Sequence, residues 1–213
     1  MKRTVDMQSP AMERNQRQAE ANRALFHALG VRVFNLISSP GAGKTTLLEA
    51  TADRLKERLA VIVGDLATAR DADRIRRHGC QAVQIETGGG CHLNAEQVAH
   101  AFTEIKTEKV KVLIIENVGN LVCPSAYDLG EEMKIGMLSL PEGDDKPGKY
   151  PTLFLRTGLV LINKMDLAPV MDYDFDRVYN DCRTLNPGVR FLSLAAKTGL
   201  GLDDWNRFLT GEG

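Results

Sequence analysis

The amino-acid sequence predicts an α/β protein: a mostly parallel sheet flanked by helices on both faces. Three observations predict it. Nearly continuous apolar runs of strand length, such as Val110–Glu116 and Gly158–Asn163, recur along the chain, as they do in strands buried on both faces. Polar stretches of helical length separate them, the alternation of βα units. The turn Ser39-Pro40-Gly41-Ala42-Gly43-Lys44-Thr45 stands between the first such strand and the helix after it, where a glycine-rich anion-binding loop belongs.

The elements follow in order. Met12–Ala28 is rich in Ala, Glu, Arg, Asn and Gln and is stopped by Gly30, so it predicts a helix. Residues 1–30 are read as a helical extension, with Leu25, Phe26 and Leu29 docking its end on residues 31–213, the main domain. Strands are expected over Val31–Ile37, Leu59–Gly64, Ala82–Glu86, Val110–Glu116, Ile135–Leu140, Gly158–Asn163 and Val189–Leu194. Helices are expected over Lys44–Arg58, Arg70–His78, Asn94–Thr107, Asp174–Leu185 and Leu202–Leu209. Pro141–Pro151, rich in Gly, Pro, Asp and Lys, reads as an exposed, mobile loop.

Bulk properties exclude several classes. A chain of 213 residues without a composition break fits one large α/β domain. A formal net charge of −1 gives no bulk attraction to nucleic acid or an anionic membrane. The longest apolar runs fall short of the roughly 20 residues of a membrane helix. Met1–Glu20 is polar and charged, without the apolar core of a signal peptide, so a cytoplasmic location is expected. In that reducing setting the four cysteines are not expected to form structural disulfides. Cys80 and Cys182 read as packing residues.

The phosphate-loop pattern is G-x-x-x-x-G-K-[ST]. Here it runs from Ser38 to Thr45, with Ser38 in place of the first glycine. Pro40, Gly41, Ala42, Gly43, Lys44, Thr45 and Thr46 are the candidate nucleotide-binding residues. Backbone N–H groups of Gly41–Thr45 would face phosphate oxygens, Lys44 would neutralise the β- and γ-phosphates, and the Thr45 hydroxyl would ligate Mg²⁺. Acidic Mg²⁺ ligands are sought at strand ends. Asp65 and Glu116 qualify, and Asp71 lies in a candidate switch segment, Asp65–Asp73. Lys44, Thr45, Asp65 and Glu116 are the candidate catalytic set. Asn163-Lys164-Met165-Asp166, at another strand end, matches N-K-x-D. Asp166 can accept two hydrogen bonds from guanine N1 and N2, which adenine does not offer. Asn163 is expected on the O6/N7 side and the Lys164 stem over the ring. Leu194-Ala195-Ala196-Lys197 resembles the S-A-K loop that adds a backbone N–H to O6, with Ala196 and Lys197 as its contacts. The nucleotide is therefore expected to be GTP or GDP.

A second constellation is Gly88-Gly89-Gly90-Cys91-His92 together with Cys123. A Cys/His/Cys donor set suits Zn²⁺ or Ni²⁺ rather than a hard cation. In a helix from Asn94, Glu96 and His100 fall one turn apart on one face and are possible further ligands. Three ligands leave a tetrahedral site incomplete, and a water or a second copy of the chain would complete it.

The segments Ser38–Thr45, Thr87–Asn94, Glu116–Asp128 (ENVGNLVCPSAYD), Glu142–Pro151 (EGDDKPGKYP) and Asn163–Asp166 together resemble the HypB family of hydrogenase nickel-incorporation GTPases. The resemblance covers nearly the whole chain beyond residue 20. It implies a SIMIBI-class G domain that dimerises with GTP and hydrolyses it slowly. It also implies nickel delivery to the large-subunit precursor of a [NiFe] hydrogenase, with a HypA-like nickel chaperone as partner. The metal ligands carry over to Cys91, His92 and Cys123, while Glu96 and His100 lie where some members have extra metal-binding residues. Many members carry an N-terminal Cys motif or His-rich tract; Met1–Gly30 has only His27, so a separate storage site is not expected.

Mechanistically, GTP with Mg²⁺ would hold Asp65–Asp73 and Glu116–Asn120 in one conformation, and Cys123, seven residues beyond Glu116, would move with them. No Gln or His stands out as a base for the hydrolytic water. Competing readings are a urease-type nickel GTPase, whose C-P-H motif differs from the adjacent Cys91-His92, a metal-binding scaffold with a decayed nucleotide site, and a partitioning-type ATPase, opposed by Asn163–Asp166.

Overall fold

The computed structural model describes residues 10–65 and 70–212, apart from the side chains of Asp65 and Arg70. Its strands are β1 (Arg32–Ser38), β2 (Leu59–Asp65), β3 (Gln81–Glu86), β4 (Val112–Glu116), β5 (Met133–Ser139), β6 (Thr157–Asn163) and β7 (Arg190–Ser193). Its helices are α1 (Pro10–Ala28), α2 (Lys44–Leu55), α3 (Arg70–Arg76), α4 (Ala95–Phe102), α5 (Cys123–Ala126), α6 (Lys146–Lys149), α7 (Pro151–Arg156), α8 (Phe175–Leu185) and α9 (Leu202–Thr210). The strands pair in parallel in the order β3-β2-β4-β1-β5-β6-β7. Because all run one way, their C-terminal ends share one edge, and the order reverses about β1, the place where such sheets bind ligands.

Period-2 alternation sorts the apolar strand residues onto two faces. Phe34, Leu36, Val61, Val63, Ile114 and Leu161 are buried with Leu47 and Leu48 of α2 and Trp205 of α9. On the opposite face Val33, Ile62, Leu113 and Ile115 pack with Val98 and Phe102 of α4 and Phe26 of α1. Ile37, Leu138, Val160 and Ile162 form the rest of the core with Phe154 and Val178. Among the described residues no helix is long and apolar enough to cross a membrane.

Two expectations are corrected. The helix expected over Asn94–Thr107 ends at Phe102. The Thr103 hydroxyl bonds the His100 carbonyl at 2.7 Å, and Glu104 and Ile105 donate to carbonyls three residues back, which tightens the chain into turns. Pro141–Pro151 is not a structureless loop. Glu142 accepts the Ser139 N–H at 2.9 Å and its hydroxyl at 2.7 Å, closing a capping box. The chain then forms α6 and enters α7, with Leu140 and Pro147 buried.

α1 lies against α4 and the segment before β5. Asn22, 2% exposed, donates to the carbonyls of Ala95 at 2.8 Å and Leu129 at 3.0 Å. Asn15 donates to the Asp128 carbonyl at 2.8 Å and accepts from the Ala95 N–H at 2.9 Å. Arg23 grips the Asp128 carboxylate with contacts of 2.7 and 2.8 Å. Phe26 meets Phe102 edge to face. One helix thereby ties together two loops distant in sequence.

Two outcomes follow from this docking. Asn22→Leu leaves two buried carbonyls without their donor, at about 1–3 kcal/mol for each unsatisfied group; chemical unfolding should show the loss, and wild-type stability would refute the role. Burial raises the Asp128 carboxyl, but the Arg23 bond, the Gly130 N–H and the charges of Arg23 and Lys134 together hold it below the usual carboxylate range. Its contribution is therefore complete above the unfolded value, about 3.9, and is lost as pH falls through the lowered one. NMR of α1 should show docking unchanged from neutral pH to about pH 4 and loosened below it, an acid step that Asp128→Asn removes.

Candidate nucleotide and metal site

β1 ends in a loop that the next helix turns into an anion cradle. Gly41 and Gly43 have φ of +78° and +103°, conformations that side chains resist. Gly43 faces a second constraint, since a Cβ there would lie 2.5 Å from Asn163 Nδ2. Lys44 Nζ donates to Ser38 Oγ at 2.9 Å, and the Ser38 hydroxyl donates to the Ser39 carbonyl at 2.7 Å. The residue that departs from the phosphate-loop pattern thus holds the loop's lysine. Thr45 Oγ1 lies 3.5 Å from Glu116 Oε1 at the end of β4. Gly41, Gly43, Lys44, Thr45 and Glu116 line a cleft of about 580 Å³ with Thr46, Gly64, Asp71 and Lys164. A hydroxyl and a carboxylate oxygen at this separation are hard donors of the kind Mg²⁺ prefers.

The other acidic candidates differ. Asp71 lines the cleft, but Arg74 stands 3.5 Å from it. Arg74 was not anticipated; its guanidinium is held by Glu49 with contacts of 2.9 and 2.8 Å. The side chain of Asp65 lies outside the described residues, as does the segment 66–69.

Asn163, expected on the O6/N7 side of a base, is turned toward the phosphate loop and the loop after β7. The residue is 2% exposed. Its Nδ2 donates to the Ala42 carbonyl at 2.8 Å and its Oδ1 accepts the Ala196 N–H at 3.0 Å. It brackets the phosphate loop to the loop after β7 with one of its two amide N–H groups and its carbonyl oxygen. The Ala196 N–H, expected on O6, is committed to that bracket. Lys164, at φ +63°, reaches over the loop to the Gly41 carbonyl at 2.7 Å. Asp166 and Lys197 are exposed beyond it.

On the same edge, the ligand atoms of Cys91, His92 and Cys123 all lie within 4.8 Å of one another, and no other such group occurs among the described residues. A tetrahedral zinc-type site with sulfur donors has edges of roughly 3.8 Å, so a small closure would seat an ion. Cys91 Sγ is 3.4 Å from His92 Nδ1. The imidazole stacks on Tyr127 at 3.8 Å between ring centroids. Asn120 joins the two ligand segments by donating to the Cys91 carbonyl at 3.3 Å and accepting from the Val122 N–H at 2.9 Å. The hydrogen bond with Cys123 pushes the Cys91 thiol up, and burial holds His92 below its ordinary value, favouring neutral imidazole.

The two secondary metal candidates do not join the group. Glu96 is held by Arg14 with contacts of 2.9 and 3.0 Å. His100 is exposed and borders a different cleft, between α4 and β3.

A seven-stranded parallel sheet with this loop and cleft defines a P-loop nucleotide-binding protein. Residues 32–193 match the model of the CobW/HypB/UreG nucleotide-binding domain. The chain belongs to that family. It is 45% identical over 210 residues to the hydrogenase maturation factor HypB of Escherichia coli K12, covering 98% of this chain and 72% of that protein. It superposes on HypB from Helicobacter pylori in complex with nickel with a TM-score of 0.90 and 43% identity, covering 93% and 94% of the two chains. HypB from Archaeoglobus fulgidus gives 0.85 with 36% identity, covering 94% and 98%. A signal recognition particle receptor, FtsY of Elizabethkingia anophelis, shares the fold at a TM-score of 0.52 and 18% identity, covering 86% and 70%.

The bracket has a measurable consequence. Asn163→Ala should lower stability by about 1–3 kcal/mol, because the Ala42 carbonyl and Ala196 N–H lose a buried partner. Urea unfolding measures it, and an unchanged midpoint would show that the two loops hold without Asn163.

Proposed function

We propose that the chain is a GTP-driven metal switch that delivers nickel during [NiFe]-hydrogenase maturation. One observation carries this reading: the segment that begins at Glu116 in the phosphate cleft supplies Cys123 to a Cys/His/Cys donor group. Nucleotide state and metal coordination thus act on the same short piece of chain. In support, E. coli HypB is a hydrogenase maturation factor and H. pylori HypB forms a complex with nickel.

In this reading Asp166 accepts from guanine N1 and N2, with Lys197 beyond the committed Ala196 as the remaining contact of that loop. Backbone N–H groups of the phosphate loop take the phosphates. Lys44 exchanges the Ser38 hydroxyl for the β- and γ-phosphate oxygens. Thr45 and Glu116, with Asp65, would hold Mg²⁺, which supplies charge neutralisation at the phosphates. Asp71 would join them only by leaving Arg74. Hydrolysis is slow, for no described group in the cleft is a Gln or His placed to orient water. Nickel is the cargo. Its thiolate and imidazole donors also suit Zn²⁺. Binding displaces thiol protons, so affinity rises with pH. The fourth position is filled by water or by a second copy in a GTP-bound homodimer, and a HypA-like chaperone and the hydrogenase precursor are the exchange partners. The setting is the cytoplasm. H. pylori HypB serves hydrogenase and urease maturation by name, so a urease precursor is the second recipient to test.

Reciprocal coupling makes the test quantitative. Ni²⁺ affinity should differ by roughly fivefold or more between the GDP and GTP-analogue states, and Cys91→Ala or Cys123→Ala should abolish that binding. Equal affinities in the two states would refute the switch. Asp166→Asn offers base N1 a carbonyl but puts an amide N–H₂ where guanine N2 also donates. It should therefore weaken GDP by at least about tenfold, the effect of about 1.4 kcal/mol, and favour a base with a carbonyl at C2. Unaltered GDP affinity would remove Asp166 from the base site.

A further inference from the structure

Leu93 follows His92 directly and is fully buried. Its side chain lies so close over Gly64 that a Cβ there would meet Leu93 Cδ1 at 2.8 Å. Its backbone N–H donates to Asn117 Oδ1 at 3.2 Å. Asn117 follows Glu116 directly and is 1% exposed. Its Oδ1 also accepts from the Val118 N–H at 3.0 Å, and its Nδ2 donates to Asn35 Oδ1 at 3.1 Å. Its own N–H bonds the Leu36 carbonyl at 3.0 Å, continuing the sheet one residue past β4. Gly64 and Asn117 both belong to the wall of the phosphate cleft. The loop bearing Cys91 and His92 therefore rests on that wall at two points, one apolar and one a buried hydrogen bond.

We infer that Asn117 is a positioning residue for the metal group: its amide fixes Leu93, and through it His92 and Cys91, at the distance from Cys123 that an ion needs. The Cys91–His92 segment is not regular structure, Cys123 only opens the four-residue α5, and the glycine run Gly88–Gly90 before Cys91 supplies no stiffness of its own. A loop of that kind takes its position from its anchors. Asn35 is the control built into the same network. Its Nδ2 donates to Glu131 Oε1 at 3.3 Å, and it supports Asn117 from the far side while the Leu93 N–H bonds Asn117. A general loss of stability would follow from truncating either asparagine, whereas a loss of metal geometry follows only from truncating Asn117.

This inference rests on reading Cys91, His92 and Cys123 as ligands, and it does not require that nucleotide gate them. The test uses the full chain with GDP present throughout. Ni²⁺ affinity is measured by chelator competition, the thiolate-to-nickel charge-transfer band is recorded, and amide exchange at Leu93 is followed in the metal-free protein. In the wild type, the Leu93 amide should be protected while the exposed Gly88 and Gly89 exchange quickly. Asn117→Ala should weaken Ni²⁺ binding by about 10- to 100-fold, the effect of losing a support one shell from a metal, alter the band and release the Leu93 amide. Asn35→Ala should leave all three readouts as in wild type, whatever it does to the melting temperature. Wild-type nickel affinity in Asn117→Ala, or equal weakening in both variants, overturns the inference. If Asn117→Ala fails to fold, rapid exchange of the wild-type Leu93 amide overturns it alone. Nickel affinity that is nucleotide-independent in the wild type sinks the delivery reading and leaves this positioning role standing. Loss of nickel binding in Asn117→Ala alone supports the role in either case.

Discussion

The wound backbone of Ser39–Gly43 depends on neighbours for its shape, and much of the upper edge of the sheet is arranged to supply them. Two positive-φ glycines leave the loop with little intrinsic preference. Asn163 holds it from the β6 side. From the β4 side, Gly119 lets the chain pass so close that a Cβ there would meet Pro40 Cγ at 3.0 Å. The loop is thus clamped between the segment that would choose the base and the segment that leads to Cys123. In the proposed switch a displacement of either would be felt at the phosphates, and the reverse would hold equally. Close packing makes such contacts behave as a few discrete arrangements rather than as a continuous spring.

Buried asparagines recur as the fasteners of this architecture. Asn22, Asn35, Asn117 and Asn163 are each at most 2% exposed, and each spans segments far apart in sequence. An amide carries both donor and acceptor, so one side chain can close two loops whose backbone groups have no ladder to join. The Glu131–Lys134 pair extends the same network. Both side chains are buried, Lys134 also bonds the Tyr127 carbonyl at 2.7 Å, and Glu131 takes the Leu129 N–H at 2.6 Å. That ties an ion pair to the backbone of the residue on which His92 stacks. Removing one member would strand the other's charge, which is far more damaging than the pair is stabilising.

Much of the fold was legible because parallel strands buried on both faces read as apolar runs and because Gly41–Thr45 announces its own context. The donor group was legible for a similar reason: Cys91, His92 and Cys123 are rare residue types flanked by glycine and proline. The fasteners were not. Asn35 interrupts the apolar strand Arg32–Ser38, and that interruption was the one available signal. Nothing local, however, says which distant groups an asparagine satisfies. The same gap explains Asn163, whose motif names its neighbourhood without saying that its amide faces the protein. Glu96 and His100 failed on a different ground. Helical spacing put them on one face correctly, but Arg14 of a helix eighty residues earlier claims Glu96, a tertiary fact with no trace in α4.

The exposure of the metal group bears on what it does. A structural zinc site is closed by four protein ligands, which keep the ion. Here three donors come from two loops, Cys91 is exposed, and none of the three belongs to a long helix or a strand. As a nickel site it would bind through soft donors and leave a coordination position and a face accessible to another molecule. An ion held this way can leave by ligand exchange without the protein unfolding. The rigid part of the design lies one residue further in, at Leu93 and Asn117, where the loop meets the phosphate cleft. Flexible ligands on a firm anchor would favour transfer over storage, and in the proposed switch they would put control of the transfer at the sheet edge beside the phosphate cleft.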